Sequence, residues 1–558
     1  MSTIQPAHIE MDSGNEKSLV FDALGPRRLR EFVAVRVPGR LVWFNFDLAR
    51  SLGFDVPARN SVNSKLSHQI IDMLSLRALR SGEGLGNREP ILLYADKYGG
   101  DDLGRCLGAG RAGFLATQNL YLKGIGHTPL FRHDDPDDFE HSHGGVSLLE
   151  GMLEAVFGEV NTSLFTKGSA RILALIDNDD YTIYPNGKKE PRAVVVRAGA
   201  QLRPAHLFAK GVQGGYSKLE VFTRITRLSG QLKMQEAAEP GKPNPDLTQT
   251  LLQVIDDHAL TAAEQFRWRI MHGAVSMSNM EMSGAMIDST TESAQPRTAP
   301  LRVLMQHPGA YLVFGQEHLE RARHLKIMYQ SLAKTLSQSE RELFNVKPID
   351  FTAEMNRSYG KYLELQFLKA AGLTTLAAQT LQSTRPDAVH RFQQILSDMA
   401  ALKNRGSVNA NNPPVEHISV LDIFNLLSAY PRVYFADPGR HNEAEILTLL
   451  RPAFKGNRFH QAKQKANVRA MIQQFADAYA SVMDTSGTVH HRSIASMRAS
   501  IVARAAYQNR PLKTLYRGNL LQDLARTIKH YKAGGHPTTI TKTIAEIIAK
   551  SHRNLDRP

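Results

Sequence analysis

The sequence predicts an α+β protein whose C-terminal part is rich in helices. Strand-like apolar runs such as ILLY and AVVVR fall before residue 200, whereas helical spacing dominates after residue 300. Hydrophobic residues make up 42% of the 558 residues, which is enough for a large core. These changes of pattern predict a flexible N-terminus over 1–20, a lobe over 21–235, a helical lobe over 247–405 and a helical C-terminal region over 415–558.

Composition and charge narrow the class of protein. The 68 Lys and Arg exceed the 54 Asp and Glu, which gives a net charge of +14. This excess is spread along the chain and aromatic residues are only 7%, so we expect a local phosphate site and no specific nucleic-acid partner. The one cysteine, Cys106, excludes an intramolecular disulfide. Neither a signal core nor a membrane span is evident, so we expect a cytoplasmic protein; no pattern indicates its oligomeric state.

The elements of the N-terminal lobe follow from apolar patterns and turn residues. Residues 41–44 indicate a strand, and residues 46–52 indicate a short helix that ends at a glycine. A longer helix is predicted over 66–79. Strands are predicted over 171–177 and 193–197, and the Asn186-Gly187 dipeptide between them favours a chain reversal.

A glycine-rich stretch precedes a strand that ends in a lysine. The segment LGAGRA contains Gly108, Gly110 and Arg111. Glycines at this density either close backbone N–H groups around a phosphate or form a hairpin with bulges. The strand over 120–123 presents Lys123, which is placed to reach a phosphate as a point charge, although an exposed strand-end lysine is the commoner case.

Charged residues follow on a helix and after a buried strand. An amphipathic helix over 146–156 carries Glu150 and Glu154 one turn apart, although most helical glutamates are surface groups. Arg197 ends its strand and Arg203 follows soon after. Two close arginines suit bidentate phosphate binding, and surface ion pairs are the alternative.

The stretch HGAVSMSNMEMSGAMID, residues 272–288, holds Asn279 and Asp288 on either side of a short apolar run. Kinase-like sites hold their metal with an Asn on a catalytic loop and an Asp after a short hairpin. Asn and Asp supply hard oxygen ligands, which suit magnesium. Gly284 is expected to permit the turn of a hairpin over 279–287 by accepting positive φ. The alternative is a polar turn between two apolar segments.

In this order along the chain, these stretches resemble the selenoprotein O family, pseudokinase-like proteins that transfer AMP from ATP to protein hydroxyls. LGAGRA is similar to the family's LGDGRA, LYLKGIGHTPLFR to LQLKGAGRTPYSR, and HGAVSMSNMEMSGAMIDS to HGVxNTDNMSIxGxTIDYG. GRLVWFNFDLARSLGFD and VVVRAGAQLRPAHLF resemble two further segments. The resemblance covers residues 20 to 330 and implies a protein-kinase-like core, ATP and Mg²⁺ as cofactors, and a protein or peptide substrate.

The resemblance also implies a role for each candidate residue. Residues from the glycine-rich stretch, the lysine strand and the arginine pair would bind the nucleotide: Gly108, Gly110, Arg111, Lys123, Arg197 and Arg203. The two arginines would hold the terminal phosphate of an inverted ATP. Lys123 would pair with Glu150 as the preferred glutamate, with Glu154 as the second choice. Asn279 and Asp288 would bind magnesium.

The chain departs from the family at the catalytic position. The family's catalytic Asp is Ser278 here, and a serine cannot act as a carboxylate base near neutral pH. Losing such a base often costs on the order of 10²–10⁴ in rate. Glu281 is the nearest carboxylate, and alternation along the hairpin would place it on the same face as Asn279. The sequence therefore leaves two functions open: a transferase with an altered site, or an inactive nucleotide-binding pseudokinase that acts as a scaffold or partner subunit.

Overall fold

The computed structural model describes most of the chain and bears out the mixed α and β prediction. It covers residues 18–99, 108–131, 143–209, 212, 214–236, 244–295, 300–301, 312–313, 315–401, 423–436, 446, 466–489 and 494–552. A large antiparallel sheet occupies the first 200 residues, and helices dominate afterwards. Most of the N-terminus that we expected to be flexible lies outside the described residues. The kinase-like character of the core stays a prediction.

One eight-stranded sheet organises the N-terminal part, and its neighbouring strands are all antiparallel. In chain order the strands are β1 (Leu29–Arg36), β2 (Arg40–Phe44), β3 (Leu76–Ala78), β4 (Ile91–Asp96), β5 (Ala112–Leu115), β6 (Leu120–Lys123), β7 (Ile172–Ile183) and β8 (Lys189–Ala198). Across the sheet they lie in the order β2-β7-β8-β6-β5-β4-β1-β3. The predicted strands over 41–44, 171–177 and 193–197 are confirmed, and Gly187 turns the β7–β8 hairpin with a φ of 79°.

Five α-helices accompany the sheet in the described part of residues 18–236: α1 (Leu19–Leu24), α2 (Phe46–Ser51), α3 (Ser64–Leu74), α4 (Leu148–Leu164) and α5 (Lys218–Leu228). The helix expected over 66–79 was predicted too long. It ends at Leu74, because residues 76–78 pair with β1 as an edge strand instead. Leu76 and Ala78 point to the core in alternation, and so short a strand carries too little pattern to be separated from the helix before it.

Both faces of the central strands are covered, which explains the unbroken apolar run of β8. Val194 and Val196 pack into the core beneath α2 and α3, whereas Ala193 and Val195 pack on the opposite face beneath α4. Strands buried on both faces read as continuous hydrophobic runs. The face beneath α4 is the one that carries the candidate site.

From residue 247 onward the described chain is mostly helical. The helices are α6 (Leu247–Trp268), α7 (Glu317–Ala333), α8 (Gln338–Leu343), α9 (Phe351–Ala370), α10 (Thr375–Thr384), α11 (Pro386–Ala401), α12 (Ile423–Ala436), α13 (Ala466–Val489), α14 (Ile494–Gln508), α15 (Arg517–Lys532) and α16 (Thr538–His552). Three two-stranded ribbons pair Met234–Gln235 with Asn244–Pro245, Ile270–Met271 with Ser293–Ala294, and Pro300–Leu301 with Leu312–Val313. No helix in the described ranges has both the length and the apolar character that crossing a membrane requires.

The last described helices leave the helical region and return to the sheet. Helices α9 to α14 share one apolar core, whereas α15 and α16 pack on α4 and the β2 end of the sheet. Asp177 of β7 is completely buried, and Lys532 Nζ lies 2.8 Å from its Oδ2. Tyr531 donates its hydroxyl to the same oxygen at 2.7 Å, and Thr541 donates to the Val42 carbonyl at 2.7 Å. Helix α4 therefore lies between the sheet and this C-terminal pair.

Candidate functional site

Two cations lie on the face of the sheet that α4 covers. In the register of β6 and β8, Lys123 is opposite Val195 and Tyr121 is opposite Arg197. Side chains of opposite residues share a face, so Lys123 and Arg197 are diagonal neighbours. Each is only 4% exposed. Buried cations of this kind require a buried counter-charge.

Glu154 of α4 supplies that counter-charge to both cations. Its Oε1 lies 2.8 Å from Lys123 Nζ and 2.7 Å from Arg197 Nη2, and its Oε2 accepts from Arg197 Nε at 2.7 Å. Burial alone would raise the pKa of Glu154, but the charges of Arg197 and Lys123 outweigh it and hold the pKa below its usual value. Glu154 is therefore an ionised group shared by two buried cations.

The preference for Glu150 as the lysine's partner was wrong. Glu150 is the third residue of α4, and its Oε2 accepts from the Ser147 backbone N–H at 2.8 Å in a capping box. Its Oε1 lies 3.8 Å from Arg111 Nη2. The Ser-x-x-Glu spacing was the signal that could have excluded it. Gly151 then lets α4 approach the sheet closely, since a Cβ there would lie 3.1 Å from Leu175.

Asp288 is a second carboxylate that contacts both Lys123 and Arg197. Its Oδ1 lies 2.8 Å from Lys123 Nζ and 3.4 Å from Arg197 Nη2. Burial would raise the pKa of Asp288, but the charges of Lys123 and Arg197 prevail and hold it well below its usual value. Asp288 adopts a left-handed conformation with a φ of 62°, which Asp tolerates better than most residues. The neighbouring Ile287 carbonyl accepts from His272 Nε2 at 2.8 Å, which fixes the approach of this segment.

The predicted hairpin before Asp288 is present, and it pairs the backbone of Asn279 with the backbone of Ile287, the residue before Asp288. Met280 and Met286 form an antiparallel bridge, and Gly284 makes the turn with a φ of 88°, as predicted. The Asn279 carbonyl accepts from the Ile287 N–H at 3.3 Å, so Asn279 lies opposite the residue that precedes Asp288. Its Nδ2 donates to the Ala274 carbonyl at 2.9 Å, which fixes the orientation of the amide.

Ser278 and Glu281 occupy different surroundings. Ser278 Oγ lies 3.0 Å from Ser276 Oγ. Glu281 accepts from Ser283 Oγ at 3.3 Å, and the charged group that influences its carboxylate is Arg203. Burial raises the pKa of Glu281, and Ser283 and Arg203 offset this only in part. Among the described contacts, no hydrogen bond or ion pair joins Glu281 to Asn279.

The arginine pair retains hydrogen-bonding capacity. Arg203 is buried, donates through Nη2 to Gln201 Oε1 at 3.1 Å, and lies over the Tyr98 ring with Cζ 5.2 Å from its centre. Within the described residues, Arg203 Nε and Arg197 Nη2 have no aligned hydrogen-bond acceptor, although Arg197 Nη2 lies at ion-pair distance from Glu154. Buried donors are normally paired. Arg203 Nε, which has no such ion pair among the described residues, is therefore suited to binding an anion such as phosphate.

The glycine-rich stretch connects two antiparallel neighbours, β4 and β5, as the hairpin interpretation expects. Gly108 has a φ of 152°, and a Cβ there would lie only 2.2 Å from the Asp96 carbonyl oxygen. A Cβ on Gly110 would lie 3.3 Å from the Cα of Phe131. Arg111 donates to the Gly145 carbonyl at 2.9 Å. Residues 100–107 lie outside the described residues, so phosphate binding by this stretch stays a prediction.

The donor set suits magnesium only in company with a nucleotide. The described residues contain no group of three His, Cys, Asp or Glu side chains that could hold a metal ion. Asn279 and Asp288 offer one amide oxygen and one carboxylate. Magnesium is commonly bound by one or two carboxylates together with substrate phosphates and water. The two residues therefore fit a metal that arrives with phosphate.

No protein-family model matches the chain, and no curated protein matches it.

Proposed function

We propose that this chain binds ATP with magnesium and transfers AMP, or phosphate, to a hydroxyl group of a protein or peptide. The observation that carries the proposal is the buried cluster in which Lys123 bridges Glu154 and Asp288 at 2.8 Å to each. A strand lysine paired with a helix glutamate, next to a metal-binding Asp, is the arrangement that protein kinases require for phosphoryl transfer. The selenoprotein O type of chemistry is proposed from the motifs that resemble that family.

The cations of the cluster would bind the phosphates of the nucleotide, and its oxygen ligands would bind magnesium. Lys123 provides a point charge for phosphate oxygens, and Arg197, whose Nε and Nη2 face Glu154, adds a second positive charge. Arg203 offers a planar guanidinium group for the same oxygens. Magnesium, when bound with the nucleotide, would neutralise further phosphate charge. Asn279 and Asp288 would hold it. Because phosphoryl and nucleotidyl transfer depend mainly on positioning and charge, these groups account for most of what such a site has to supply.

The acceptor hydroxyl also has to lose its proton. In AMP transfer its oxygen bonds to the α-phosphorus while pyrophosphate leaves, and in phosphate transfer it bonds to the γ-phosphorus while ADP leaves. Ser278, at the family's base position, has a hydroxyl beside Ser276 and no carboxylate. Glu281 is the candidate replacement, because its raised pKa brings it nearer the range of an efficient general base.

Ser278 also favours a second candidate function, a nucleotide-binding pseudokinase that acts as a scaffold or partner subunit. Nucleotide binding needs the cations but not the base, so it can survive this substitution. The two candidates share the phosphate site and differ only in turnover. An assay that measures both nucleotide binding and group transfer therefore distinguishes the two candidates.

The test measures binding and transfer on the same protein. ATP with magnesium should raise the melting temperature, because a ligand that binds only the folded state stabilises it. Lys123→Met should abolish the shift, and Lys188→Met, at an exposed hairpin lysine, should leave it intact. If Lys123→Met does not fold, Arg203→Gln takes its place. An unchanged melting temperature of the wild type in millimolar ATP and magnesium would exclude the proposal.

Intact-mass analysis with candidate acceptors then distinguishes the two functions. Addition of an adenylyl or a phosphoryl group identifies the reaction, and binding without any addition supports the pseudokinase. Glu281→Gln should abolish transfer but spare ATP binding. Ser278→Asp should restore or raise adenylylation. Transfer that is insensitive to both substitutions would contradict the altered-site mechanism.

A further inference from the structure

A second buried polar contact joins α4 to the segment that follows Asp288. Asn161 lies seven residues after Glu154, about two helical turns, so both side chains leave the same side of α4. Asn161 Nδ2 donates to Glu292 Oε2 at 2.7 Å, and both residues are completely buried. Glu292 belongs to the segment 289–294, whose first residue follows Asp288 directly. Helix α4 thus holds Lys123 through Glu154 and the post-Asp288 segment through Asn161.

Each member of this pair leaves one buried oxygen unsatisfied. Asn161 Oδ1 and Glu292 Oε1 have no hydrogen-bond partner among the described residues. Both are acceptors when Glu292 is ionised, so neither can satisfy the other. A protonated carboxyl group has one O–H donor. A proton on Glu292 Oε1 would let it donate to Asn161 Oδ1 while Oε2 accepts from Nδ2, which closes a cyclic acid–amide pair and leaves neither oxygen unsatisfied.

The surroundings of Glu292 favour the neutral acid. No ion pair to Glu292 occurs within the described ranges, and the charges that influence its carboxyl group are those of Glu317 and Arg321 on α7, which act in opposite directions. Burial has the largest influence and raises the pKa of Glu292 well above its usual value, and the charge of Glu317 adds to it. The hydrogen bond from Asn161, the Ser289 hydroxyl and the charge of Arg321 lower the pKa and offset only part of this rise.

The C-terminal helices contact the same segment without neutralising the carboxyl group. Arg517 Nη1 donates to the backbone carbonyls of Thr290 at 3.0 Å and of Glu292 at 3.3 Å. The Arg517 N–H donates to Ser293 Oγ at 3.3 Å. Arg517 therefore contacts the backbone of this segment and Ser293, whereas Asn161 of α4 contacts the carboxyl group of Glu292.

We propose that Glu292 is a neutral carboxylic acid in a cyclic pair with Asn161, and that this pair positions the segment after Asp288 against the helix that carries Glu154. The protonation state and the tethering of the segment are independent of any ligand. Their significance for nucleotide binding rests on the proposed function.

The first test uses Glu292→Gln, which reproduces the neutral pair because the Gln amide can donate to Asn161 Oδ1. A group with a raised folded pKa gives stability that is complete below its unfolded pKa and is lost as the pH rises through the folded pKa. As the pH rises from 5 to 8, the melting temperature of the wild type should therefore fall by several degrees relative to that of Glu292→Gln. Glu546→Gln, at an exposed helix position, should show no such trend. If the difference in melting temperature between the two proteins did not change with pH, or if Glu292→Gln were less stable at every pH, the proposal that Glu292 is neutral would be wrong.

Two further measurements test separately whether Glu292 is protonated and whether Asn161 holds segment 289–294 in place. Infrared spectra at pH 7 should contain the carbonyl stretch of a protonated acid that disappears in Glu292→Gln. Asn161→Leu should accelerate hydrogen exchange in segment 289–294 by at least severalfold, while Glu292→Gln keeps exchange slow. Unchanged exchange in Asn161→Leu would refute the tether. Because neither readout uses a nucleotide, failure here is distinct from failure of the wild type to bind ATP.

Discussion

Lys123 Nζ and Asp288 Oδ1 lie 2.8 Å apart, although the two residues are 165 positions apart in the sequence. The same carboxylate is the one we propose to hold magnesium when a nucleotide is bound. The ion pair therefore joins the cation that would bind phosphate to the anion that would bind its metal. Their separation in the sequence means that the site exists only when the sheet and the hairpin segment are packed together.

Asp288→Asn should lower stability and remove the magnesium-dependent part of ATP binding. The free energy of unfolding should fall by about 1–3 kcal/mol, since a hydrogen bond between charged groups is lost while Lys123 keeps Glu154. Urea unfolding with and without ATP and magnesium measures both effects, with Asp523→Asn on the exposed side of α15 as the control. An equal magnesium dependence in Asp288→Asn and the wild type would contradict the metal assignment.

Glu154→Gln and Glu150→Gln should differ strongly. Removing the charge of Glu154 leaves two buried cations with Asp288 as their remaining counter-ion, and breaking a buried pair of this kind costs about 3–5 kcal/mol. Gln can replace Glu in a capping box, so Glu150→Gln should cost less than about 1 kcal/mol. Chemical denaturation of the two variants provides the comparison. Equal losses would mean that Glu154 is not the main counter-ion.

The sequence predicted the site's cations better than its anions, for a physical reason. Lys123 is the last residue of an apolar strand and Arg197 the last but one, and strand alternation places such residues without knowledge of the rest of the fold. Choosing between Glu150 and Glu154 required knowing which turn of α4 faces the sheet, and the capping box at Ser147 was the local evidence. The Asn161–Glu292 pair and the return of Lys532 to Asp177 had no local signal, because tertiary packing alone brings these residues together.

Acid should weaken the fold through His272. Its Nε2 donates to the Ile287 carbonyl and its Nδ1 accepts from the Ala274 N–H, so it is buried as a neutral ring. Burial lowers its pKa to about 4. The unfolded chain therefore takes up the proton first, and stability present above pH 6.5 is lost as the pH falls toward 4.

This contribution should amount to about 2 kcal/mol between pH 6.5 and pH 5. Urea unfolding at several pH values measures it as the difference between wild type and His272→Gln, whose amide can still donate to the carbonyl. His530→Gln, at an exposed position on α15, serves as the control. The same pH dependence in wild type and His272→Gln would show that His272 is not the group that titrates.

Lys532→Met should destabilise the contact between α15 and the sheet. It removes the ammonium group that lies 2.8 Å from the completely buried Asp177, and the loss should be about 3 kcal/mol or more. Tyr531→Phe, which removes one hydrogen bond to the same carboxylate, should cost about 1–2 kcal/mol. Thermal or urea unfolding reports both, with the exposed Lys529→Met as the matched control. A Lys532→Met protein as stable as this control would contradict the role of the pair.

The position of α4 between the sheet and the C-terminal helices determines the order in which the N-terminal lobe can be completed during synthesis. A nascent chain that extends only to residue 489 already contains every strand of the large sheet but still exposes the side of α4 that α15 and α16 cover. Partly folded domains with exposed apolar surface are prone to aggregation and are typical clients of chaperones. The lobe that leaves the ribosome first is therefore completed last, after residues 512–552 have been made.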